Sequence, residues 1–290
     1  MKRLILLMAA ASLYTAADAQ TDTTYEPKNN DTMRVGNILI IKKGKKSDSD
    51  TTWKTEIPMG RKTSGRTSTN WLVLDVGLSN YDDQTNYATA GSYLVNRPGT
   101  PALGAPDFKL RSSKSLNINI WFFMQRLNIV KKNVSLKYGL GLELNNYVYK
   151  SDISYREDGL IPYTNGTISN TPFIFRDSVT FKKNKLAADY LTVPLMLSFA
   201  TNNASNKKGL SFSAGVSAGY LYSQRNKQKS TARGKERNKG EYDLERFKLS
   251  YVGELGIGPV KLYGSYSPKS MYEHSLDMRP YTIGFRFSNW

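Results

Sequence analysis

Apolar and polar residues alternate along eight separate segments of the chain. The clearest segment is Val134–Leu144, where large apolar side chains occupy every second position and Lys137 and Glu143 are among the residues between them. An alternation of period two is typical of a β-strand with one apolar and one polar face. Seven further segments of this kind begin near positions 71, 116, 191, 210, 247, 260 and 281. The pattern predicts an all-β fold with eight strands.

The connections between the predicted strands alternate in length. Long connections follow strands one, three, five and seven, at roughly 81–115, 151–184, 224–241 and 268–280, and short ones follow strands two, four and six. In an antiparallel arrangement all long connections then lie at one end. This is typical of an up-and-down transmembrane β-barrel, with short periplasmic turns and longer outer loops. Loops this long are uncommon in a compact soluble domain.

The polar face of such a barrel points into its interior. Eight strands enclose just enough room for side chains to fill, and buried charges require partners of opposite sign. We therefore predict a plugged lumen, not an open pore. Its charge network consists of Asp75, Lys137, Glu143, Lys248, Glu254, Lys261 and Arg286.

The first seventy residues differ from the rest. Residues 1–19 have the layout of a signal peptide, with a basic start, an apolar run over Leu4–Leu13 and the small residues Ala17 and Ala19 before the cleavage point. Residues 20–69 are polar and mostly flexible in our interpretation, with one short strand over Val35–Ile41. Residues 70–290 form the barrel. No later apolar run is long enough for a transmembrane helix, so an exported chain of this kind is either soluble or a barrel.

Composition and charge narrow the chemistry. The 290 residues, 39% of them hydrophobic, suffice for one large β domain. The chain has no Cys, so it forms no disulfides. With a single His and no Cys, only carboxylates are left to hold a metal, and we expect neither a metal nor a cofactor. Nucleic acid is not expected as a partner, since no basic motif is interleaved with stacking aromatic residues.

The net charge of +17 is concentrated most strongly in the third long connection. From Arg225 to Lys239 the one acid among seven cations is Glu236, and each cation could contribute about 1 kcal/mol near an anionic lipid surface. This segment is our candidate for binding outer-membrane lipid, including lipopolysaccharide phosphates, although a mobile, solvated loop is an equal alternative. The candidate residues are Arg225, Lys227, Lys229, Arg233, Lys235, Arg237 and Lys239.

Three stretches of the predicted barrel resemble one family. The segment from Asp189 to Leu197, DYLTVPLML, and the last two strands, over Lys261–Tyr272 and Arg279–Phe287, resemble PorT-like outer-membrane β-barrel proteins of Bacteroidetes-type bacteria. The resemblance covers about residues 71–290 and implies a location in the bacterial outer membrane. Some relatives serve a protein-secretion system, which implies an accessory role in secretion that no residue of this chain specifies.

These observations favour a structural or interaction component of the bacterial envelope that is not an enzyme. Residues 20–69, through the stretch Ile40–Lys46, are the candidate contact with a periplasmic or envelope partner, or else a tether. One alternative is a barrel enzyme acting on lipid or peptide, with His274 beside Ser275 and Asp277. A solvated loop histidine is the favoured interpretation there. The other alternative is a soluble, lipocalin-like carrier with its leucines inside.

Overall fold

The computed structural model describes residues 32–35, 38–42, 53–56, 66–130, 133–201, 210–257 and 260–288. The chain divides into two compact units, Met1–Ser64 and Gly65–Trp290, so the barrel unit begins a few residues before the predicted boundary. The segment predicted as a signal peptide, residues 1–19, lies outside the described residues.

Three strands, not the single one predicted, occupy the described part of the N-terminal unit. Thr32–Val35, Ile38–Lys42 and Trp53–Glu56 pair antiparallel in that order. Because Val35 is the partner of Ile38, the chain reverses within the segment predicted as one strand. The intervening sequence Gly36-Asn37 is a dipeptide that favours two-residue hairpin turns. The interpretation of one apolar strand was therefore wrong because it overlooked this turn signal.

Eight antiparallel strands form a closed ring in the second unit. Each strand pairs with its neighbours in sequence, and the last strand pairs with the first. The fourth and fifth strands pair along nearly their whole length. The strands are β1 (Thr67–Asp83), β2 (Leu116–Val130), β3 (Val134–Val148), β4 (Phe181–Ala200), β5 (Leu210–Ser230), β6 (Phe247–Ile257), β7 (Val260–Tyr266) and β8 (Met278–Phe287). The predicted fold class is confirmed.

The connections have the predicted alternation of length. Positions 131–133, 201–209 and 258–259 join β2 to β3, β4 to β5 and β6 to β7, at one end of the ring. The four long connections, 84–115, 149–180, 231–246 and 267–277, lie at the other end, and together they are called the cap below. The cap contains the 3-10 helices Gly91–Tyr93, Ala105–Phe108 and Ser112–Lys114. It also contains the short strands Leu94–Val95, Ile153–Arg156, Gly159–Leu160, Ile168–Ser169, Phe173–Arg176 and Gly234–Lys239. In the described part of the chain, no helix is long and apolar enough to cross a membrane.

Apolar side chains cover the outside of the ring, and polar side chains line its inside. Along β4, Leu195 is 49% exposed, whereas the neighbouring Met196 and Ser198 are buried inside. On β3, Lys137 and Glu143 are buried, while the leucines between them point outwards. A soluble carrier would bury these leucines, so the lipocalin-like alternative is wrong.

A bulge in β2 changes which residues of this strand point into the lumen. The pairing of β2 with β3 shifts register between Trp121 and Phe123, which moves the inward positions by one residue. Met124, which the alternation predicts on the outside, is therefore buried in the lumen beside Val73 and Trp121. Strict period-two counting cannot anticipate an extra residue of this kind.

Candidate functional site

Arg286 is the centre of the larger charge cluster in the lumen. Its Nε and Nη2 donate to the two oxygens of Asp75, at 2.7 and 2.6 Å, and its Nη1 pairs with Glu254. The second oxygen of Glu254 accepts from Lys137 Nζ at 2.8 Å. The indole N–H of Trp121 also donates to Asp75, at 2.7 Å. All five side chains are buried, so the charges compensate one another where water is excluded.

A second ion pair lies on the same inner surface. Lys248 pairs with Glu143, which also accepts from Asn145 Nδ2 at 3.0 Å. Lys261 is buried as well, and it is the ladder partner of Arg286 on the neighbouring strand. The structure thus places all seven predicted lumen charges inside the barrel and brings six of them into ion pairs. The sequence prediction missed Trp121, whose ring lies against the Arg286 guanidinium at 5.2 Å.

The lumen contains a cavity of about 30 Å³, bordered by residues that include Trp121, Glu143, Pro194, Glu254 and Arg286. By the usual volume needed for one molecule, this holds about two waters. At the inward position Gly141, a Cβ would lie 2.6 Å from the carbonyl oxygen of Ile120 on the paired strand β2, so the neighbouring strand leaves no room for a side chain there.

The cap has a hydrophobic core of its own at the end of the ring that carries the long connections. All four of these connections contribute side chains, and they pack against inward residues near the strand ends, such as Tyr190 and Leu221. Three buried tyrosine hydroxyls form a chain, with Tyr149 and Tyr155 2.6 Å apart and Tyr155 and Tyr272 2.8 Å apart. Burial raises the pKa of Tyr155 and Tyr272 well above the usual value, so these hydroxyls stay neutral. The sequence analysis predicted these segments only as long loops.

The predicted basic loop is instead an ordered β-hairpin. β5 continues to Ser230, and Gly234–Lys239 returns beside it. Six of the seven predicted cations lie on the hairpin strands. The seventh, Arg233, lies at the turn, where its Nη1 is 2.9 Å from Asp177 Oδ2. Hydrogen bonds from Arg233, Val179 and Ser154 lower the pKa of Asp177 despite the opposing effect of its burial. The segment is therefore a β-hairpin and not an irregular loop, and most of its cations are exposed to solvent.

His274 has a carboxylate partner, but not the predicted one. Its Nδ1 lies 2.8 Å from Asp243 Oδ1, whereas Asp277 pairs with Arg279. Ser275 contributes only a backbone N–H, which donates to Asp243 at 3.0 Å. The hydrogen bond to Asp243, followed by its charge, raises the pKa of His274. The sequence gave no signal for this pair, because 31 positions separate the two residues.

Asp243, Glu273 and His274 are also the group among the described residues that could hold a metal ion. One potential ligand atom from each lies within 4.8 Å of the other two. His274 and Glu273 are exposed. We predicted no metal site from the sequence, because the chain has one histidine and no cysteine. No particular carboxylates were singled out as ligands.

A closed antiparallel barrel with an apolar outside and buried charges inside is the architecture of a transmembrane β-barrel. A family profile described as "Outer membrane protein beta-barrel domain" matches residues 79–270. The chain belongs to this family and is a protein of the bacterial outer membrane. The predicted location in the outer membrane is confirmed. The family match does not distinguish the PorT-like subgroup from other members.

Similarity to individual proteins is low. One similar solved structure is the attachment invasion locus protein Ail of Yersinia pestis, with 13% sequence identity and a TM-score of 0.28. The alignment covers 76% of this chain and 97% of that one. No curated protein sequence matches the chain.

Proposed function

We propose that this protein is a non-conducting outer-membrane barrel that holds a folded cap at the cell surface and acts as a structural or interaction component of the envelope. The observation that carries the proposal is the network of buried charges in the lumen. Arg286, Asp75, Glu254 and Lys137 form buried ion pairs that connect strands β1, β3, β6 and β8, and the adjoining cavity of about 30 Å³ has room for about two waters. A continuous column of water needs far more space.

The cap supports the same proposal. A pore needs an open mouth, whereas here the inward side chains of Tyr147, Tyr190 and Leu221 belong to the cap core. Bonds such as that from Tyr93 Oη to the Tyr242 carbonyl, 2.8 Å long, connect loops that are far apart in sequence. We infer that the cap is a fixed surface rather than a set of mobile loops, which suits recognition better than transport.

Conductance measurements test the proposal. The full-length protein is refolded in detergent, checked for heat-modifiable gel mobility and added to a planar lipid bilayer in 1 M salt, a standard condition, with an open porin as the positive control. We expect no stepwise conductance from this protein. Reproducible single-channel steps from the wild-type barrel would overturn the proposal.

We propose, further, that the protein is not an enzyme. Among the hydrogen bonds of the described residues, those of His274 go to Asp243, and no serine hydroxyl completes a triad with them. The purified protein should release no fatty acid from phospholipid and transfer no acyl chain. A rate that is present in the wild type and lost in His274→Ala would contradict this.

The N-terminal unit is proposed as the contact with a periplasmic partner, and an accessory role in secretion is proposed from the PorT-like resemblance. β1 begins at the end of the barrel with the short connections, since Thr67 pairs with Leu127 near the end of β2. Photo-cross-linkers at Lys42 and Lys54 in native envelopes should capture a defined protein. Cross-links only to the barrel itself would favour a tether.

A further inference from the structure

The cations of the hairpin and of β4 form rows across three paired strands. Lys183 pairs with Lys229, which pairs with Lys235. Lys185 pairs with Lys227, which pairs with Arg237. In a third row Ala187 pairs with Arg225, which pairs with Lys239. The eight cations are called the basic face, namely Lys183, Lys185, Arg225, Lys227, Lys229, Lys235, Arg237 and Lys239. Lys183 and Lys185 extend the set beyond the residues predicted from sequence.

A bulge at Tyr222 creates this face. Asp189 pairs with Ser223 and Tyr190 pairs with Leu221, so Tyr222 is an extra residue in β5. Before the bulge, in the order of the sequence, the even-numbered residues of β5 point outwards. After the bulge the odd-numbered residues point outwards. Without this shift the outward positions would be Gln224, Asn226 and Gln228. Asn226 and Gln228 are instead buried.

Buried polar contacts behind the face hold the cations in place. Gln228 Nε2 donates to Ser154 Oγ at 2.7 Å, and Asn226 Nδ2 donates to Asn184 Oδ1 at 3.2 Å. The cations are therefore attached to a rigid three-stranded sheet. Such a sheet can present them at fixed spacing, with neighbouring strands about 5 Å apart.

Like charges directly opposite each other destabilise a sheet. Of the ion pairs among the described residues, only that between Arg225 and Asp189 neutralises a member of the basic face. The ladder partner of Gln228, Glu236, lies at a position that points to the other side of the hairpin. The face thus keeps an excess positive charge, which an anionic ligand would compensate.

The position of the basic face on the barrel wall indicates which kind of anionic ligand it binds. The even-numbered side chains of β4 from Asn184 to Ser198 are buried, so Lys183 and Lys185 lie on the same outer wall as Leu191 and Val193, with the buried Ala187 and Asp189 between them. The exposed ring of Tyr222 lies between the two zones, and that of Tyr220 is level with its ladder partner Leu191, where aromatic residues mark a membrane interface. From Leu191 to Lys185 is six residues, or about 20 Å along the strand at the usual rise. Because the strands are tilted by about 45°, the distance from Leu191 to Lys185 along the membrane normal is about 14 Å.

We propose that the basic face binds the phosphate groups of a phosphorylated glycolipid in the outer leaflet, whose acyl chains lie against the apolar wall of β4 and β5 below it. Lysine and arginine next to an apolar band suit this ligand, because the band takes the chains and the cations take the phosphates. This proposal goes beyond the proposed function and does not depend on it, because a barrel that conducted ions could bind the same lipid at this face.

Binding is tested with the full-length protein in detergent, titrated with purified bisphosphorylated lipid A and followed by native mass spectrometry. The face variant combines Lys185→Gln, Lys227→Gln, Arg237→Gln and Lys239→Gln. The matched control removes the same charge from exposed cations elsewhere in the cap, with Lys109→Gln, Lys114→Gln, Lys150→Gln and Arg156→Gln. Both variants must show heat-modifiable mobility like that of the wild type. The face variant should bind lipid A about tenfold or more weakly, and the control should bind like the wild type.

Two further arms identify the ligand. Dephosphorylated lipid A with the same acyl chains should bind the wild type as weakly as lipid A binds the face variant. Free pyrophosphate at an equal concentration should not displace lipid A. Equal binding of lipid A by the face variant and the wild type would overturn the proposal. Equal binding of dephosphorylated lipid A, or displacement by pyrophosphate, would also overturn it.

Discussion

Arg286 and Asp75 are direct partners across the seam where the last strand of the barrel meets the first. They face each other in the β8–β1 ladder, and the guanidinium donates to both carboxylate oxygens, with Nη2–Oδ2 at 2.6 Å and Nε–Oδ1 at 2.7 Å. Glu254 and Trp121 join them from β6 and β2. The same side chain therefore pairs across the seam and neutralises carboxylates in the lumen.

Replacing Arg286 with Met should destabilise the barrel strongly. Asp75 and Glu254 would remain buried without their common cation, and breaking a buried ion pair from one side costs about 3–5 kcal/mol. Urea unfolding in detergent, followed by gel mobility, measures the change. Arg246→Met is the control, because Arg246 and Glu241 form an exposed pair, 59% and 66% accessible, worth about 1 kcal/mol or less. Equal midpoints for the two variants would contradict a structural role for the lumen network.

Glycines on the two sides of the wall should respond differently to alanine. A Cβ on the inward Gly141 would lie 2.7 Å from the Trp121 Cα, whereas one on the outward Gly253 would have Ser213 O as its nearest neighbour, at 3.9 Å. Overpacking of this kind costs about 1–3 kcal/mol. Gly141→Ala should therefore lower the thermal unfolding temperature, and Gly253→Ala should leave it nearly unchanged. The opposite order would mean that the inside and outside are assigned incorrectly.

His274 should titrate above its ordinary pKa of 6.5. The chain has one histidine, so a single imidazole NMR signal reports the pKa without assignment. Because the folded pKa is raised, the stabilisation from the Asp243 pair is complete below the unfolded pKa and is lost as the pH rises through the folded pKa. Asp243→Asn should return the pKa towards 6.5. A wild-type pKa at 6.5 that this variant does not change would rule out the pair.

The strands could be predicted from the sequence because their signal is local. Lumen residues such as Lys137 and Glu143 are identified by their place in a period-two alternation, which the barrel preserves wherever a strand has no bulge. The cap could not be predicted, since its contacts join distant segments: Tyr155 and Tyr272 are 117 positions apart. The basic face depends on a single extra residue, Tyr222, and a pattern of alternation does not show where a strand will bulge.

The central claim is that the apolar residues of each strand face lipid and the polar residues face a filled lumen. The chain has no cysteine, so single cysteines along β4 can carry a nitroxide label in reconstituted bilayers. Collision with oxygen, which is concentrated in the bilayer, should be frequent at positions 193, 195 and 197. At positions 192, 196 and 198, contact with both oxygen and a water-soluble nickel complex should be rare. High oxygen accessibility at the even positions, or nickel accessibility at the odd ones, would contradict the account.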